Sequence, residues 1–503
     1  GGALRTAAMA PPAKKPRPDN GAALEHLRQA LMPPMTHHAM MHGLVYADRD
    51  PGADPSRATQ CPVALLPEPL PQRAFEEVVA LSPLWNRLVD AVSRDLDWLY
   101  STLEAASVAD AFTQRLVDIC KEVQRGGLRQ KAYLGIHRSD YMLHQPDASA
   151  AEAPRFLQVE LNTIASSMGA HAANVAGLHR FLLGRYGDGA GETASALREH
   201  FHAGSASALL EALPPNPVLQ RVPGALARAH RLYGVAEAKV LMVVQASERN
   251  YADQRWMEYR LWEDHGVATV RRTLAEVLRE GEADAAGRLR LRGEGEVSVV
   301  YYRAGYSPDD YHSEAEWKAR LLLEQSLAIK SPSIAYQLVG AKKVQQALAA
   351  PGALERFLGA ADSRALRASF AGLWGLGPGE DDAEVVRKVL ADPELYVLKP
   401  QREGGGNNFY GKDAAQKLQE LSVEERGAYI LMQRILPGPQ AAVLTREGRA
   451  ELAECVSEYG FYSVFLGDGS TVSLSEHAGH LVRTKKLGVD EGGVAAGYAV
   501  ISS

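Results

Sequence analysis

The stretch that most constrains this chain is VLKPQREGGGNNFYGKD, residues 397–413, where an apolar strand-like run meets three consecutive glycines and then a helical pattern. Lysines, a glutamate and two asparagines share the segment, which points to phosphate. Three kinds of phosphate site begin this way, and each demands a different fold. A P-loop is the first, since Gly406 to Lys412 matches G-x-x-x-x-G-K. The next residue should be a magnesium-binding Ser or Thr, but Asp413 stands there and suits the N-cap of the helix AAQKLQEL better. A dinucleotide fingerprint is the second, and it fails because G-x-G-x-x-G is absent both here and in GGVAAG, residues 492–497. The third is a glycine-rich loop between antiparallel strands that closes over a nucleotide. There the missing Cβ atoms let backbone N–H groups approach phosphate oxygens. Lys399 precedes the loop on a strand, Glu403 offers a hard oxygen for magnesium, and Asn408 and Tyr410 follow it. A plain surface loop is the bland alternative, and the chemistry of the neighbours speaks against it.

Other strands carry charge that needs a reason. In RFLQVELNTIA, Leu157, Val159 and Leu161 alternate with Gln158, Glu160 and Asn162. Glu160 and Asn162 therefore point the same way, a carboxylate beside an amide oxygen, which suits magnesium or else a solvated edge. In GHLVRTKK, Arg483 and Lys485 share one face and repel each other unless an anion lies between them. Arg138 in HRSDYM and Arg303 in YYRAGY also end apolar runs.

The 503 residues suffice for two or three domains, and 46% hydrophobic with 23% charged residues is ordinary for a globular chain. A net charge of −6 argues against a nucleic-acid partner, and no apolar run approaches a membrane span. Three cysteines, Cys61, Cys120 and Cys455, make neither a disulfide framework nor a zinc site, and would sense redox state only if exposed. The first residues, GGALRTAAMAPPAKKPRPDNG, read as a cloning remnant, a processed transit peptide or a disordered tail. A short helix is expected near AALEHLRQAL, and His38 and His42 in MTHHAMMH stand at helical i,i+4 spacing, a surface cluster before a metal pair. From Phe75 to about Val123 the period is helical, with Trp85, Leu88, Val89, Val92, Leu96 and Leu99 on one face. AKVLMVVQ and EVSVVYYRAGY read as strands separated by helices, a small α/β unit. ELYVLKP, AYILMQRIL and AELAECVSEYGFYSVFL read as strands of a later, largely antiparallel sheet, and GLGPGEDDAE, residues 375–384, as a surface loop.

The blocks LQVELNTIASSMGA, VVYYRAGYSPDDY, AKKVQQAL, VLKPQREGGGNNFYG, YILMQRI and HLVRTKKLGVDEGGVAAG together resemble eukaryotic glutathione synthetase, from about residue 60 to the end. The resemblance implies an α/β (α+β) ATP-grasp fold: antiparallel sheets, an inserted small α/β substrate domain and a glycine-rich lid. It divides the chain into a tail (1–60), a helical region with the start of the core (61–235), a substrate domain (236–340) and an ATP region (341–503) with its lid at about 370–455. It implies an ATP- and magnesium-dependent ligation of glycine to γ-glutamylcysteine through an acyl phosphate, in a homodimer that is cytoplasmic unless a plastid or mitochondrial signal directs it.

On that resemblance Glu160, Asn162 and Glu403 hold magnesium. Lys342, Lys399, Gly404, Gly405, Gly406, Asn408 and Tyr410 meet ATP, as do the segment Met432, Gln433, Arg434 and Ile435, and Glu458, Lys485 and Glu491. Ser167, Glu248, Asn250, Gln254, Arg303 and Tyr306 meet the dipeptide, and Val494 and Ala495 line the glycine end. Arg138 and Arg483 touch substrate and stabilise the transition state. There are departures. Ala165 stands where the family often has Ser, MQRI replaces Met-Glu-Lys-Ile, and Glu491 follows Asp490 where one Asp is common, leaving open which acid points inward. Two alternatives are a relative that uses β-alanine and a non-catalytic nucleotide-binding protein. The small Ala495 and Ala496 favour glycine, and the intact set of acids and cations favours an enzyme.

Overall fold

The computed structural model describes residues 21–48, 50, 54, 56–145, 154–401, 407–490, 492–494 and 497–503. Its backbone is a seven-stranded sheet whose members come from distant parts of the chain. The spatial order is Gln440–Arg446, Val63–Ala64, Val500–Ser502, Val472–Lys486, Arg449–Gly467, Tyr133–His144, Arg155–Asn162. The run AELAECVSEYGFYSVFL lies within one continuous strand of 19 residues, Arg449–Gly467, antiparallel to each strand it pairs with.

The two faces of this sheet are used differently. Tyr459, Phe461 and Tyr141 pack on Ala74 and Val78 of the helix Gln72–Arg94. On the other face Tyr462, Val464 and Leu466 meet the helices Gly169–Tyr186 and Val218–Tyr233, and Leu24, Leu27, Leu31 and Met35 of the helix Gly21–Met41 join that core. Further along, the second face is left for polar groups. A four-stranded antiparallel sheet stands over it, in the order Leu373–Gly375, Tyr429–Gln433, Tyr396–Pro400, Phe409–Tyr410. A third, six-stranded sheet lies within residues 239–331. Lys239–Val243 pairs in parallel with Thr269–Arg272 and with Gly295–Tyr302, as strand-helix-strand connections require.

Several local expectations are corrected. The helical run after Phe75 is three helices, Gln72–Arg94, Leu96–Ala109 and Ala111–Arg125. Asp95 and Asp110 break it, each accepting a backbone N–H three residues on, from Trp98 at 3.2 Å and Thr113 at 2.9 Å. Asp413 is not an N-cap: its helix begins at Gly411, and Asp413 lies in the first turn, where a carboxylate still suits the helix dipole. The end of the supposed loop 375–384 is helical, because Asp382 opens the helix Asp382–Ala391 and pairs with Arg426 at 2.5 Å. The first helix is longer than expected and carries both histidines. The His38 and His42 rings stack on each other with centroids 3.8 Å apart. All three cysteines are buried, and burial pushes Cys61 and Cys455 up to about 12 and Cys120 to about 11, so none is a thiolate sensor. No helix among the described residues is long and apolar enough to cross a membrane.

Candidate active site

Between the seven- and four-stranded sheets lies a cavity of about 280 Å³. Its base is the polar end of the large sheet: Glu160, Glu458, Arg483 and Lys485, with Met142, Val159 and Val456 between them. Its other wall is the small sheet, with Lys399 and Val397 on one strand and Met432 and Gln433 on the next. Register explains the base. Glu458 pairs across the strands with both Arg483 and Met142, and Asp140 with both Glu160 and Gly460, so period-two alternation aims all their side chains at one side.

The charges are interleaved. Lys342, first residue of the helix Lys342–Ala349, reaches Glu160 at 3.0 Å. Lys399 donates to the Val159 carbonyl at 2.8 Å. Burial lowers the Lys399 ammonium to about 8, against the pull of Glu160. Burial alone would raise Glu160, but Lys342 and Lys399 hold it well below the usual carboxylate range. Burial raises Glu458, although Arg483 is its ion-pair partner. Arg483 and Lys485, expected to need an anion between them, are matched differently: Arg483 pairs with Glu458 and Asp140, and Lys485 donates to the Asp490 carbonyl.

Asn408 and Tyr410 line the cavity and bond each other at 3.3 Å. Tyr410 OH also reaches the Asp490 carbonyl at 3.4 Å, joining the small sheet to the segment after Lys485. Arg434 lies over the Tyr410 ring and pairs with Asp490 at 2.9 Å and Glu394 at 3.2 Å. Of the two neighbouring acids, Asp490 therefore lines the cavity; Glu491 lies outside the described residues. The Gln433 side chain is occupied in holding the Gly372 N–H at 3.1 Å, while Met432 and Ile435 supply apolar walls suited to a flat base.

The residues expected to hold the dipeptide gather in a second group, outside the lining of that cavity. Arg303 Nη2 meets Asp253 at 2.8 Å, while its Nε and Nη1 are buried without a partner among the described residues. Asp253 also accepts the Met168 and Ala170 N–H groups at 3.0 and 2.8 Å, fixing the turn that carries Ser167. Glu248 accepts from the Asn250 backbone at 2.7 Å and from Gln254 at 3.1 Å. Tyr306 OH accepts from Gln245 at 3.3 Å. Arg138 joins the two groups: Nη1 reaches the Ser167 carbonyl at 3.1 Å, and Nε reaches Asp140 at 2.7 Å. Val494 is buried in the apolar core, whereas Gly492 and Gly493 line the cavity. Glu403, Gly404, Gly405, Gly406 and Ala495 lie outside the described residues.

Sequence reasoning missed Asp140 and Asp253, which organise both groups. Asp140 was legible in principle, two residues after Arg138 on the same strand face. Asp253 lies in a helix and gave no such signal. Among the described residues no three His, Cys, Asp or Glu side chains are grouped to hold a metal. Asn162 Nδ2 nevertheless donates to Glu160 Oε1 at 3.3 Å, so a carboxylate and an amide stand side by side, with the Lys342 ammonium on the other carboxylate oxygen. That fits magnesium, which takes one or two protein ligands and completes its shell with phosphate and water.

Residues 25–503 match the family model for the eukaryotic glutathione synthase ATP-binding domain. The chain is 44% identical over 474 residues to the chloroplastic glutathione synthetase of Solanum lycopersicum, covering 92% of this chain and 81% of that protein. It is 42% identical to the glutathione synthetase of Bos taurus over 447 residues, 88% of this chain and 89% of the other, and 42% identical to that of Homo sapiens over 446 residues, again 88% and 89%. Among solved structures, a glutathione synthetase-like effector of Globodera pallida in its apo form superposes with a TM-score of 0.72 over 95% of this chain and 96% of that one, at 21% identity, a likeness of fold.

Proposed function

The chain belongs to the eukaryotic glutathione synthetase family and is an ATP-dependent ligase, and from that premise we propose how its two polar groups divide the reaction. ATP lies between the sheets, its base against Met432 and Ile435 and its phosphates among Lys342, Lys399 and Lys485. γ-Glutamylcysteine occupies the second group, where the unpartnered N–H groups of Arg303 receive a carboxylate. Buried donors of this kind are costly unless a ligand completes them. The observation that carries the reading is the bridge Arg138–Asp140–Arg483, which joins the two groups through two guanidinium groups on one carboxylate.

The chemistry follows from this arrangement. The cysteine carboxylate attacks the γ-phosphorus, the bond to the bridging oxygen breaks, and ADP leaves. The glycine amine then attacks the acyl carbon, the bond from that carbon to the bridging oxygen breaks, phosphate departs with that oxygen, and the amine loses a proton. Phosphoryl transfer asks for positioning and charge neutralisation more than for a covalent protein group, and Arg138, Arg483 and the lysines supply both. Glu160, Asn162 and Glu403 would hold magnesium, which when bound neutralises phosphate charge. Val494 and Ala495 stay assigned to the glycine end. A homodimer belongs to the same proposal, and the chloroplastic names of two relatives support a plastid location as an alternative to the cytoplasm.

The test is ADP release by the full chain with ATP, magnesium, γ-glutamylcysteine and either glycine or β-alanine. Release is expected with glycine and slower with β-alanine. No release with either amine sinks the reading, and faster release with β-alanine reverses the choice of third substrate.

A further inference from the structure

Asp140 is 0% exposed, and its carboxylate takes four N–H groups from three strands. Arg138 gives Nε to Oδ1 at 2.7 Å and Nη2 to Oδ2 at 2.8 Å. Arg483 Nη2 and Asn162 Nδ2 reach the same Oδ2 at 2.9 and 3.0 Å. With Glu458, it gives the two guanidinium groups two carboxylates, so the charge of this corner closes without drawing on Glu160, which is left to Lys342.

The bond to Asn162 has a chemical consequence. An amide presents either nitrogen or oxygen to a neighbour, and the two edges are nearly the same shape. An ionised carboxylate only accepts, so Asp140 admits only the nitrogen. The Arg138 carbonyl at 3.4 Å and Glu160 Oε1 at 3.3 Å put two more acceptors around the same nitrogen. Turned the other way, the amide oxygen would face two carboxylates and a carbonyl in a buried place, where each unmade bond and each repulsion is costly. The amide therefore has one orientation, with Nδ2 held by these three acceptors and Oδ1 turned away from them.

We propose that Asp140 is a positioning residue that locks the Asn162 amide with its oxygen free for a divalent cation and, by the same carboxylate, fixes the spacing of Arg138 and Arg483. It touches neither substrate nor cation; it acts through the three residues that do. The purpose assigned to the cation rests on the ligase reading above, whereas the orientation of the amide rests on the hydrogen bonds alone.

The experiment reads metal binding directly. Mn²⁺ is titrated into the full chain with saturating ADP and followed by electron paramagnetic resonance, for the unsubstituted protein, Asp140→Asn and Glu458→Gln. Both substitutions remove a carboxylate partner of Arg483, but only the first touches Asn162. Asp140→Asn is expected to weaken Mn²⁺ binding at least tenfold and Glu458→Gln less than threefold. Equal weakening in the two, or none in Asp140→Asn, overturns the proposal. If Asp140→Asn does not fold, a crystal structure of the unsubstituted protein with magnesium and ADP decides. Asn162 Oδ1 at about 2.1 Å from the ion, with Nδ2 still on Asp140, upholds the proposal, and any other arrangement of that amide overturns it. Should the unsubstituted protein release no ADP with either amine while the Mn²⁺ difference persists, the ligase reading falls and the positioning role stands.

Discussion

Opposite Asp140, the neighbouring strand carries Gly460, and the Arg138–Asp140 pair lies in the space its missing side chain leaves. A Cβ there would come within 2.7 Å of Arg138 Cδ and 2.7 Å of Asp140 Oδ1. Neither neighbour yields cheaply, since both are buried and each is held by the other. A glycine within a strand marks such a close approach. Gly460→Ala is therefore expected to displace the Arg138 guanidinium and cut kcat at least tenfold, about 1.4 kcal/mol of transition-state stabilisation. The fold should survive, because the strand is paired from Cys455 to Gly467 on one side and from Glu458 to Gly467 on the other. Steady-state ADP release, read beside a melting curve, checks this; unchanged kcat would mean that the pair can move aside without cost. Gly460 was not legible in SEYGFYS, because its importance comes only from what stands across the sheet, and register over several hundred residues is not written locally.

At the scale of elements, the helical region after Phe75 shows what a local pattern carries and what it leaves out. The apolar spacing of Trp85, Leu88, Val89 and Val92 reads directly as a buried face, and these four are buried. The period runs on through Leu96 and Leu99 across a break, because two helices packed on one core present the same stripe. The break was legible in Asp95 and Asp110, residues that favour a cap over a helix interior. Asp110 is buried and takes both the Thr113 N–H and its hydroxyl, at 2.9 and 2.7 Å. Asp110→Ala should cost about 1 kcal/mol, as losing an N-cap does. Denaturant unfolding should shift its midpoint accordingly, with turnover per folded molecule unchanged. A midpoint equal to that of the unsubstituted chain would show that water replaces the cap. The strands tell a similar story. Alternation gave the shared direction of Glu160 and Asn162, and the structure places their polar atoms 3.3 Å apart. Alternation could not say that Arg138, Glu458 and Arg483 come to the same end of the same sheet. That follows from pairing order, which joins residues 133–144, 155–162, 449–467 and 472–486. Recognisable sequence blocks did that work instead, by carrying a whole arrangement at once.

For the molecule as a whole, the sheet's division into a polar face and an apolar one leaves histidines stranded on the apolar side. His137 is 0% exposed, neither ring nitrogen has a hydrogen-bond partner among the described residues, and its ring centroid lies 5.4 Å from that of Tyr336. Burial drives its imidazole from 6.5 down to about 3, and burial likewise lowers His480 on the same face to about 3. The sign of the effect follows from where protons bind. Between about 3 and 6.5 the unfolded chain takes a proton at position 137 and the folded chain does not, so acid favours unfolding. The stability that neutral His137 preserves is complete above 6.5 and is lost as pH falls toward about 3. At one proton the slope is about 1.4 kcal/mol per pH unit, which by pH 5 amounts to about 2 kcal/mol for this residue. His137→Leu keeps an apolar group of similar bulk and removes the titration. Denaturant unfolding at pH 7.5 and pH 5 should then show a smaller acid loss in His137→Leu, by about 2 kcal/mol, than in the unsubstituted chain. Because the comparison is a difference of differences, carboxylates that titrate in the same range cancel. An identical acid loss in the two proteins would mean that His137 already carries its proton in the folded state, and that the apolar face of the sheet is wetter than its packing indicates.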